Sequence, residues 1–594
     1  MPENAKTILK NTQSLCPVCL RVLPASLAGD ADGHVYLERS CPEHGFFSVK
    51  IWDGCLDFHS WQRPKALGGP LRRQRESALG CPYDCGICPA HRQHGCTVLF
   101  EITTDCNLRC PVCFASAGEA EKDPGDKSGG PNSAQAGGPG EARAEKHLPT
   151  AKALDWLRWM REEEGEVVLQ LSGGEPTLHP DLPTLVSAGA ALFPAVQLNS
   201  NGLLLAADKG LAQKLKQAGL SWVFLQFDGT RDEIYRKIRG RDLLAIKEEA
   251  LARCAEAALP VVLVPTLVRG VNDGNLGEIL DFALKRKSVR GIHIQPMAGM
   301  GRNAFGQAGR ITLPETLLAL SGQSKGRIRP EQASIPGCEH ERCSFHLRYR
   351  VRDRGGANQL IHLREESCCS AQANAPTIQV PEKTSETCCG ASAFSSGPGL
   401  SQSLLPGPAQ GPEQLNVTRG TPLSGPCSHK SPAQNQQEIF AEKTGGAKDE
   451  AAFRQSDIPQ NRTLAGAEPE DAKAGRDRAV SVILRSWGRA GGAEDAQGQG
   501  QDEDPLSRFI RQSREQVFSV TCMAFQDAET VDLERLRGCC VHVFDPPDRL
   551  VPFCSYNLTA RDGRALHRQN SRGGPLGEQA AQGGAKARGE DEPR

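Results

Sequence analysis

By length alone, a chain of 594 residues would divide into about four domains. Glycine (62) and proline (40) crowd it and aromatic residues make up only 5%, so two or three compact units are expected. A formal net charge of −1 excludes a protein held to nucleic acid or an anionic membrane by bulk charge. Twenty-three cysteines behind a polar start, MPENAKTILKNTQ, do not read as a secreted disulfide framework and point to metal. No apolar run approaches the roughly 18 residues of a transmembrane helix. The expectation is a soluble cytoplasmic protein, with peripheral contact to a membrane left open.

Residues 1–60 read as a zinc-ribbon or rubredoxin-like knuckle. Cys16-Pro17-Val18-Cys19 and Cys41-Pro42-Glu43-His44 flank a hairpin-like stretch, HVYLERS, the spacing of a metal staple. Zinc is favoured, because a Cys3His set binds it tetrahedrally and ties down a piece too small for its own core. A rubredoxin-like iron is the alternative, disfavoured by the His in place of one thiolate. Cys55 stands nearby, outside these two pairs. In residues 61–96, Cys81, Cys85, Cys88 and Cys96 form a complete set for an auxiliary 4Fe-4S cluster in electron transfer, with a structural zinc as the alternative.

From residue 97 to 302 the pattern alternates. Strand-like runs are expected at Val98 to Thr103, Val167 to Leu171, Ala195 to Asn199, Trp222 to Phe227, Val261 to Leu267 and Gly291 to Gln295. Helix-like stretches lie at Ala151 to Glu163, Leu182 to Leu192, Gly210 to Ala218, Leu243 to Ala257 and Leu276 to Arg286. This is an α/β pattern, a parallel sheet covered by helices. Six units are too few for a closed eightfold barrel, so an open, partial (β/α)6 TIM-like barrel is expected.

The loop after the first strand carries Cys106, Cys110 and Cys113. This Cys-x3-Cys-x2-Cys spacing can hold three irons of a 4Fe-4S cluster and leave the fourth open to a ligand. A fully ligated cluster or a zinc knuckle is the alternative, weakened by the position at a strand's C-terminal end, where such barrels place active sites. After the next strand come Gly173, Gly174, Glu175 and Pro176. The glycines would let backbone approach a ligand, and Glu175 could accept from an ammonium group; alone, the motif is often only a turn. Asn199, Ser200, Asn201, Gln226, Asp228 and Gln295 stand at later strand ends, each as readily a cap as a ligand.

Three stretches read as disordered: Ser116 to His147, Cys368 to Asp504, and the tail after Arg561 through 594. Within the second, only Ala479 to Trp487 is apolar enough for an isolated helix. With that insertion looped out, residues 303–367 and 505–560 form a C-terminal iron-sulfur module. Cys338, Cys343, Cys522, Cys539, Cys540 and Cys554 are its six candidate ligands, with Cys343, Cys522, Cys540 and Cys554 the favoured set for a second auxiliary cluster. Cys368, Cys369, Cys388, Cys389 and Cys427 read as free thiols.

The paired motifs Cys106-x3-Cys110-x2-Cys113 and Gly173 to Pro176, on successive βα units, resemble the radical S-adenosylmethionine (radical SAM) superfamily over Thr97 to Arg302. The resemblance implies that the open iron chelates the amino and carboxylate groups of SAM and that one-electron reduction yields a 5′-deoxyadenosyl radical. It assigns Cys106, Cys110 and Cys113 to catalysis and Gly173, Gly174, Glu175, Pro176, Asn199, Asn201 and Asp228 to cofactor binding. An anaerobic setting and an external electron donor such as a ferredoxin or flavodoxin follow, with no nucleic-acid partner. The order of modules, with CMAFQDAETVDLERLRGCCVHV and PFCSYNLT near the C-terminus, is similar to the family of the archaeal tetraether lipid synthase, some of whose relatives are described as methylating a dihydropterin. Two substrates are therefore implied. Carbon–carbon coupling of lipid alkyl chains would require an apolar tunnel, and methylation of a dihydropterin or similar heterocycle a compact polar pocket. A non-catalytic zinc and iron-sulfur scaffold, or an electron-transfer protein, is the alternative of another class, opposed by the three-Cys loop and its Gly-Gly-Glu-Pro partner.

Overall fold

Alternating burial opens the chain: in Val35–Cys41 every second residue is buried, the signature of a strand with one face on a core. The computed structural model describes residues 6–61, 77–86, 89–118, 146–335, 339–354, 357–363 and 517–568, together with residues 477, 480, 481, 483, 484 and 487. Strands β1 (Thr7–Leu15), β2 (Val22–Gly29), β3 (Val35–Cys41) and β4 (Gly45–Trp52) form an antiparallel meander. Cys16–Cys19 lies in the turn from β1 to β2 and Cys41–His44 at the turn from β3 to β4, while a third tight turn, Asp30 to His34, joins β2 to β3. Trp52 packs against Phe58 and Trp61, each at a centroid distance of 5.7 Å, and these rings merge with the main core.

The central sheet is built on β5 (Thr97–Thr103), β7 (Val168–Gly173), β8 (Ala195–Ser200), β9 (Trp222–Gln226), β10 (Val261–Val264) and β12 (Val289–Pro296). These six parallel strands match the sequence expectation. Two small ladders complete the set: β6 (Val112–Cys113) pairs with β13 (Arg302–Asn303), and β11 (Thr266–Leu267) pairs with β12. Helices α1 (Thr150–Glu164), α2 (Leu182–Leu192), α3 (Leu203–Ala207), α4 (Leu211–Gln217), α5 (Asp232–Arg239), α6 (Leu244–Glu256), α7 (Leu276–Leu284) and α8 (Leu313–Gln323) follow the strands. Sequence periodicity missed α3, α5 and α8. The second had local signals, with Asp232 and Glu233 in its first turn, Arg236, Lys237 and Arg239 in its last, and Gly240 at φ 85° as its left-handed stop.

The C-terminal segments do not stand apart as a separate module. β14 (Ser344–Arg354), β15 (Ala357–His362), β16 (Val517–Met523), β17 (Val541–Asp545) and β18 (Arg549–Pro552) extend the same sheet. β16 joins β12 in parallel, from Gly291↔Ser519 to Ile294↔Cys522, and β17 joins β5 in parallel, from Val541↔Thr97 to Val543↔Leu99. Eight adjacent strands are thus parallel, with β14–β15 and β18 antiparallel at the margins. Among the described residues the two margins do not pair with each other, so the barrel stays open. The reason was in the sequence: VFSVTCM is an almost continuously buried run, the mark of a strand covered on both faces.

Two boundaries shift. Residues 561–568 were expected to be disordered but are packed: Leu566 is 4% exposed, and Arg568 makes a bidentate pair with Glu101 at 2.8 and 2.9 Å and donates to Asn557. Likewise Ser116 to Gly118 and Lys146 to His147 belong to the fold, with His147 bridging to Thr103; residues 119–145 and 569–594 lie outside the described residues. The described positions of the 477–487 stretch are helical and are not isolated, because Val480 and Trp487 are buried against the sheet. Among the described residues no helix is long and apolar enough to cross a membrane. Leu566→Ala should lower stability by about 2–5 kcal/mol, as for other buried leucines; an unchanged urea midpoint would return residues 561–568 to a solvated tail.

Candidate active site

The three-thiol loop leaves the C-terminal end of β5 and is gripped from two sides by arginines. Arg239, at the end of α5, donates to both oxygens of Asp228 at 2.7 and 2.8 Å, to the Val112 carbonyl at 2.9 Å and to the Thr266 hydroxyl at 2.8 Å. Arg302 donates to the carbonyls of Cys110 at 3.0 Å, Ser116 at 2.7 Å and Ala117. Neither arginine was read as functional from the sequence. The unread helix α5 hid the first, and the second lies at the end of the barrel pattern.

Gly173 and Gly174 have a more specific role than leaving room for a ligand. A Cβ on Gly173 would stand 2.2 Å from the Thr103 carbonyl oxygen, and one on Gly174 2.1 Å from that of Asp105. The Gly174 and Glu175 amides donate to those same oxygens at 2.8 and 2.7 Å. The glycine pair therefore lets β7 dock onto the root of the cysteine loop. Glu175 is 1% exposed and accepts from the Thr177 hydroxyl at 2.5 Å, the Ser200 hydroxyl at 2.8 Å, the Asn201 amide at 2.7 Å and the Thr177 amide at 3.2 Å. Burial pushes its carboxyl up against these donors. Asn201 in turn donates to Asn107 in the cysteine loop at 2.7 Å, and Lys247, drawn down to about 8 by burial, donates to the Asn201 carbonyl.

Cys106, Cys110, Cys113, Gly173, Gly174, Glu175, Asn199 and Asn201 line one cavity inside the barrel. Pro176 starts a short 3-10 turn behind it. Asp228 stands back from the lining, paired with Arg239. Burial pushes the Cys106 thiol up to about 12 and raises Cys110 despite the nearby Arg239 charge. Such thiols become ligands only with a cation beside them, and a three-thiol donor set is what a cluster with one open iron requires. The inward positions of the following strands carry Gln170, Gln197, Gln226, His293 and Gln295. His293 Nδ1 lies 2.7 Å from the Thr521 hydroxyl.

In the knuckle, the donor atoms of Cys16, Cys19, Cys41 and His44 all lie within 4.8 Å of one another. Cys19 Sγ is 3.9 Å from Cys41 Sγ, and His44 Nδ1 is 3.7 and 3.4 Å from Cys16 and Cys41 Sγ. Those separations fit the edges of a tetrahedron about an ion bound at roughly 2.0–2.3 Å. This is a metal site.

The other cysteines group differently from the expected set. Cys343 accepts from Arg535 at 3.1 Å, and Cys539 and Cys343 both act electrostatically on Cys554. Cys540 is buried beside Cys96, whose amide donates to the Cys540 carbonyl at 2.8 Å. Cys522 sits in the main core, where burial alone raises its thiol. Strand alternation explains the difference: Thr521 and Met523 turn toward the barrel interior and Cys522 turns away. Cys81 lies beside Cys85 and Arg537; Cys88 and Cys338 fall outside the described residues.

Residues 100–283 match the model of the radical SAM superfamily, and residues 8–53 that of the HMPTM N-terminal zinc ribbon domain. The chain carries a radical SAM domain behind a zinc ribbon and is an enzyme of the radical SAM type. Along its length it is 29% identical over 570 residues, 94% of each chain, to the 7,8-dihydro-6-hydroxymethylpterin dimethyltransferase of Methanocaldococcus jannaschii. A probable GTP 3′,8-cyclase of Archaeoglobus fulgidus is 31% identical over 182 residues, 30% of this chain and about half (52%) of the relative. Among solved structures, SuiB of Streptococcus suis bound to S-adenosylmethionine aligns at a TM-score of 0.29 and 14% identity, over 37% of this chain and 44% of that one.

Arg239→Leu leaves Asp228 charged and buried without its partner. It should cost about 3–5 kcal/mol and lower the iron bound at the Cys106 loop, read by urea midpoint and iron content; a wild-type value for both would contradict the clamp. A second expectation concerns acid. Burial holds His293 down at about 4 and His346 at about 3, below the usual imidazole value near 6.5. The unfolded chain then binds more protons than the folded one, so these groups favour folding fully above pH about 6.5 and progressively less as pH falls toward 4. The urea midpoint should decline across that window, and a flat profile would contradict it.

Proposed function

We propose that the chain is a radical SAM methyltransferase acting on a reduced pterin of the 7,8-dihydro-6-hydroxymethyl kind. The observation that carries this reading is its likeness, over 94% of both chains, to a dimethyltransferase named for that substrate. The cavity chemistry supports it. Gln170, Gln295 and His293 line the barrel interior, and amides with a neutral imidazole suit the amino, carbonyl and ring N–H edge of a pteridine. An alkyl chain would call for an unbroken apolar lining, which these strands lack, and the lipid-coupling reading gains no support from the similarities.

When bound, a 4Fe-4S cluster with SAM supplies a carbon radical able to abstract hydrogen. The chain's own residues do the rest. Cys106, Cys110 and Cys113 would hold three irons. Glu175, Asn199 and Asn201 would flank SAM, with Gly173, Gly174, Pro176 and Asp228 positioning the loops around it. We assign zinc to the Cys16, Cys19, Cys41 and His44 site. A first auxiliary cluster goes to Cys81, Cys85, Cys88 and Cys96, and a second to Cys343, Cys539 and Cys554, with Cys338 as the nearest sequence candidate for a fourth ligand. An external one-electron donor of the ferredoxin or flavodoxin class serves them.

The test is anaerobic reconstitution with SAM, dithionite, the dihydropterin and a one-carbon donor. 5′-Deoxyadenosine should form, its yield should rise with pterin, and the pterin should gain one or two methyl groups by mass. Cleaved SAM with no change in the pterin would overturn the substrate. A Cys106→Ala variant that still makes 5′-deoxyadenosine would overturn the ligand assignment.

A further inference from the structure

At their N-terminal ends, the barrel strands turn apolar side chains inward. Val168, Ala195, Trp222 and Val262 form one buried cluster, and the side chain that completes it, Trp487, comes from far along the chain. Its indole lies 5.0 Å from the Phe224 ring and 6.1 Å from the rings of Trp222 and His293, all near edge-on. It fits where the barrel wall is thinnest: a Cβ on Gly291 would stand 3.3 Å from the indole nitrogen. Among the described residues that buried nitrogen has no acceptor, so packing rather than a hydrogen bond holds the indole in place. Trp487 and Ile483 line the same cavity as Cys106, Cys110 and Cys113.

We propose that Trp487, with Ile483 beside it, is the floor of the substrate cavity and that its indole sets the depth, closing the barrel at the end away from the cysteine loop so that it admits a ring-sized substrate and rejects a long chain. A through-running barrel would let an extended chain pass. A barrel stopped by an indole presents a blind pocket, with the amides of Gln170 and Gln197 and the His293 imidazole on its walls. Such a floor also bars water from below, which matters where a reactive carbon radical must meet only its substrate. The identity of the ring rests on the pterin reading; the floor does not.

The experiment uses reconstituted holoenzyme carrying Trp487→Ala or Trp487→Phe, each checked for wild-type cluster absorbance and circular dichroism. In Trp487→Ala the vacated space should bind added indole, as engineered apolar cavities bind small aromatics, while the wild type should not. The KM for the pterin should rise about tenfold or more, the loss of a sizeable share of its binding energy, and methylated product per 5′-deoxyadenosine should fall. Indole should restore both, and Trp487→Phe should stay close to wild type. A folded Trp487→Ala that binds no indole and keeps the wild-type KM and product ratio would overturn the floor. If Trp487→Ala does not accumulate folded, Trp487→Leu carries the same comparison. Indole binding by the variant, alongside a wild type that never methylates the pterin, would leave the floor standing and sink the substrate reading alone.

Discussion

Arg239 is buried, charged and fully engaged, and the active-site loop has its place because of that. A guanidinium taken out of water must have its charge matched and its donors filled, or the cost runs to several kcal/mol. Here burial works against the charge and Asp228 outweighs it. The remaining donors reach the cysteine loop at Val112 and the strand beyond at Thr266. One side chain thus ties the end of β9, the edge of β11 and the cysteine loop into a single geometry. Gly173 and Gly174 close the other side, where any Cβ would collide with the carbonyl oxygens of Thr103 and Asp105 and keep β7 off the loop. Three thiols on an otherwise irregular segment then line one cavity.

From this anchored rim the barrel interior runs downward through polar positions to an apolar base. Parallel strands buried on both faces would ordinarily carry aliphatic side chains throughout, and here the inward rows carry Gln170, Gln197 and His293 instead. Buried amides and imidazoles are costly unless partnered. Some are partnered internally, as Gln197 is by Trp222 at 2.9 Å and His293 by Thr521 at 2.7 Å. Among the described residues no such internal hydrogen bond is seen for the amides of Gln170 and Gln295, which face the cavity. The extension of the sheet by β16 and β17 serves the same end, since β16 supplies Thr521 and walls a side that six strands alone would leave open.

The legible part of this protein was local. The Cys106–Cys113 spacing, the Gly173–Pro176 turn, the two knuckle halves and the six strands of the barrel are each written within a few residues of one another, and the fold follows them. The illegible part was distant pairing. Nothing near Arg239 announces Asp228 as its partner, although the acidic start, basic end and Gly240 stop of its helix were there to be read. Cys539 and Cys540 are neighbours in sequence yet part in space, Cys540 buried beside Cys96 and Cys539 acting on Cys554. Reading the C-terminal segments for their cysteines hid the simpler fact that VFSVTCM is a buried strand. The apolar patch ending at Trp487 was visible, but its seat inside a barrel built some two hundred residues earlier was not.

The most direct test of the account is electron–nuclear double resonance on the reduced protein, with SAM labelled at its amino nitrogen and carboxylate oxygens. If Cys106, Cys110 and Cys113 hold a cluster with one iron free, both labels should show the strong hyperfine coupling of atoms bound directly to iron. Bound SAM with neither coupling would mean that the iron is closed and that the site described here does not do radical SAM chemistry.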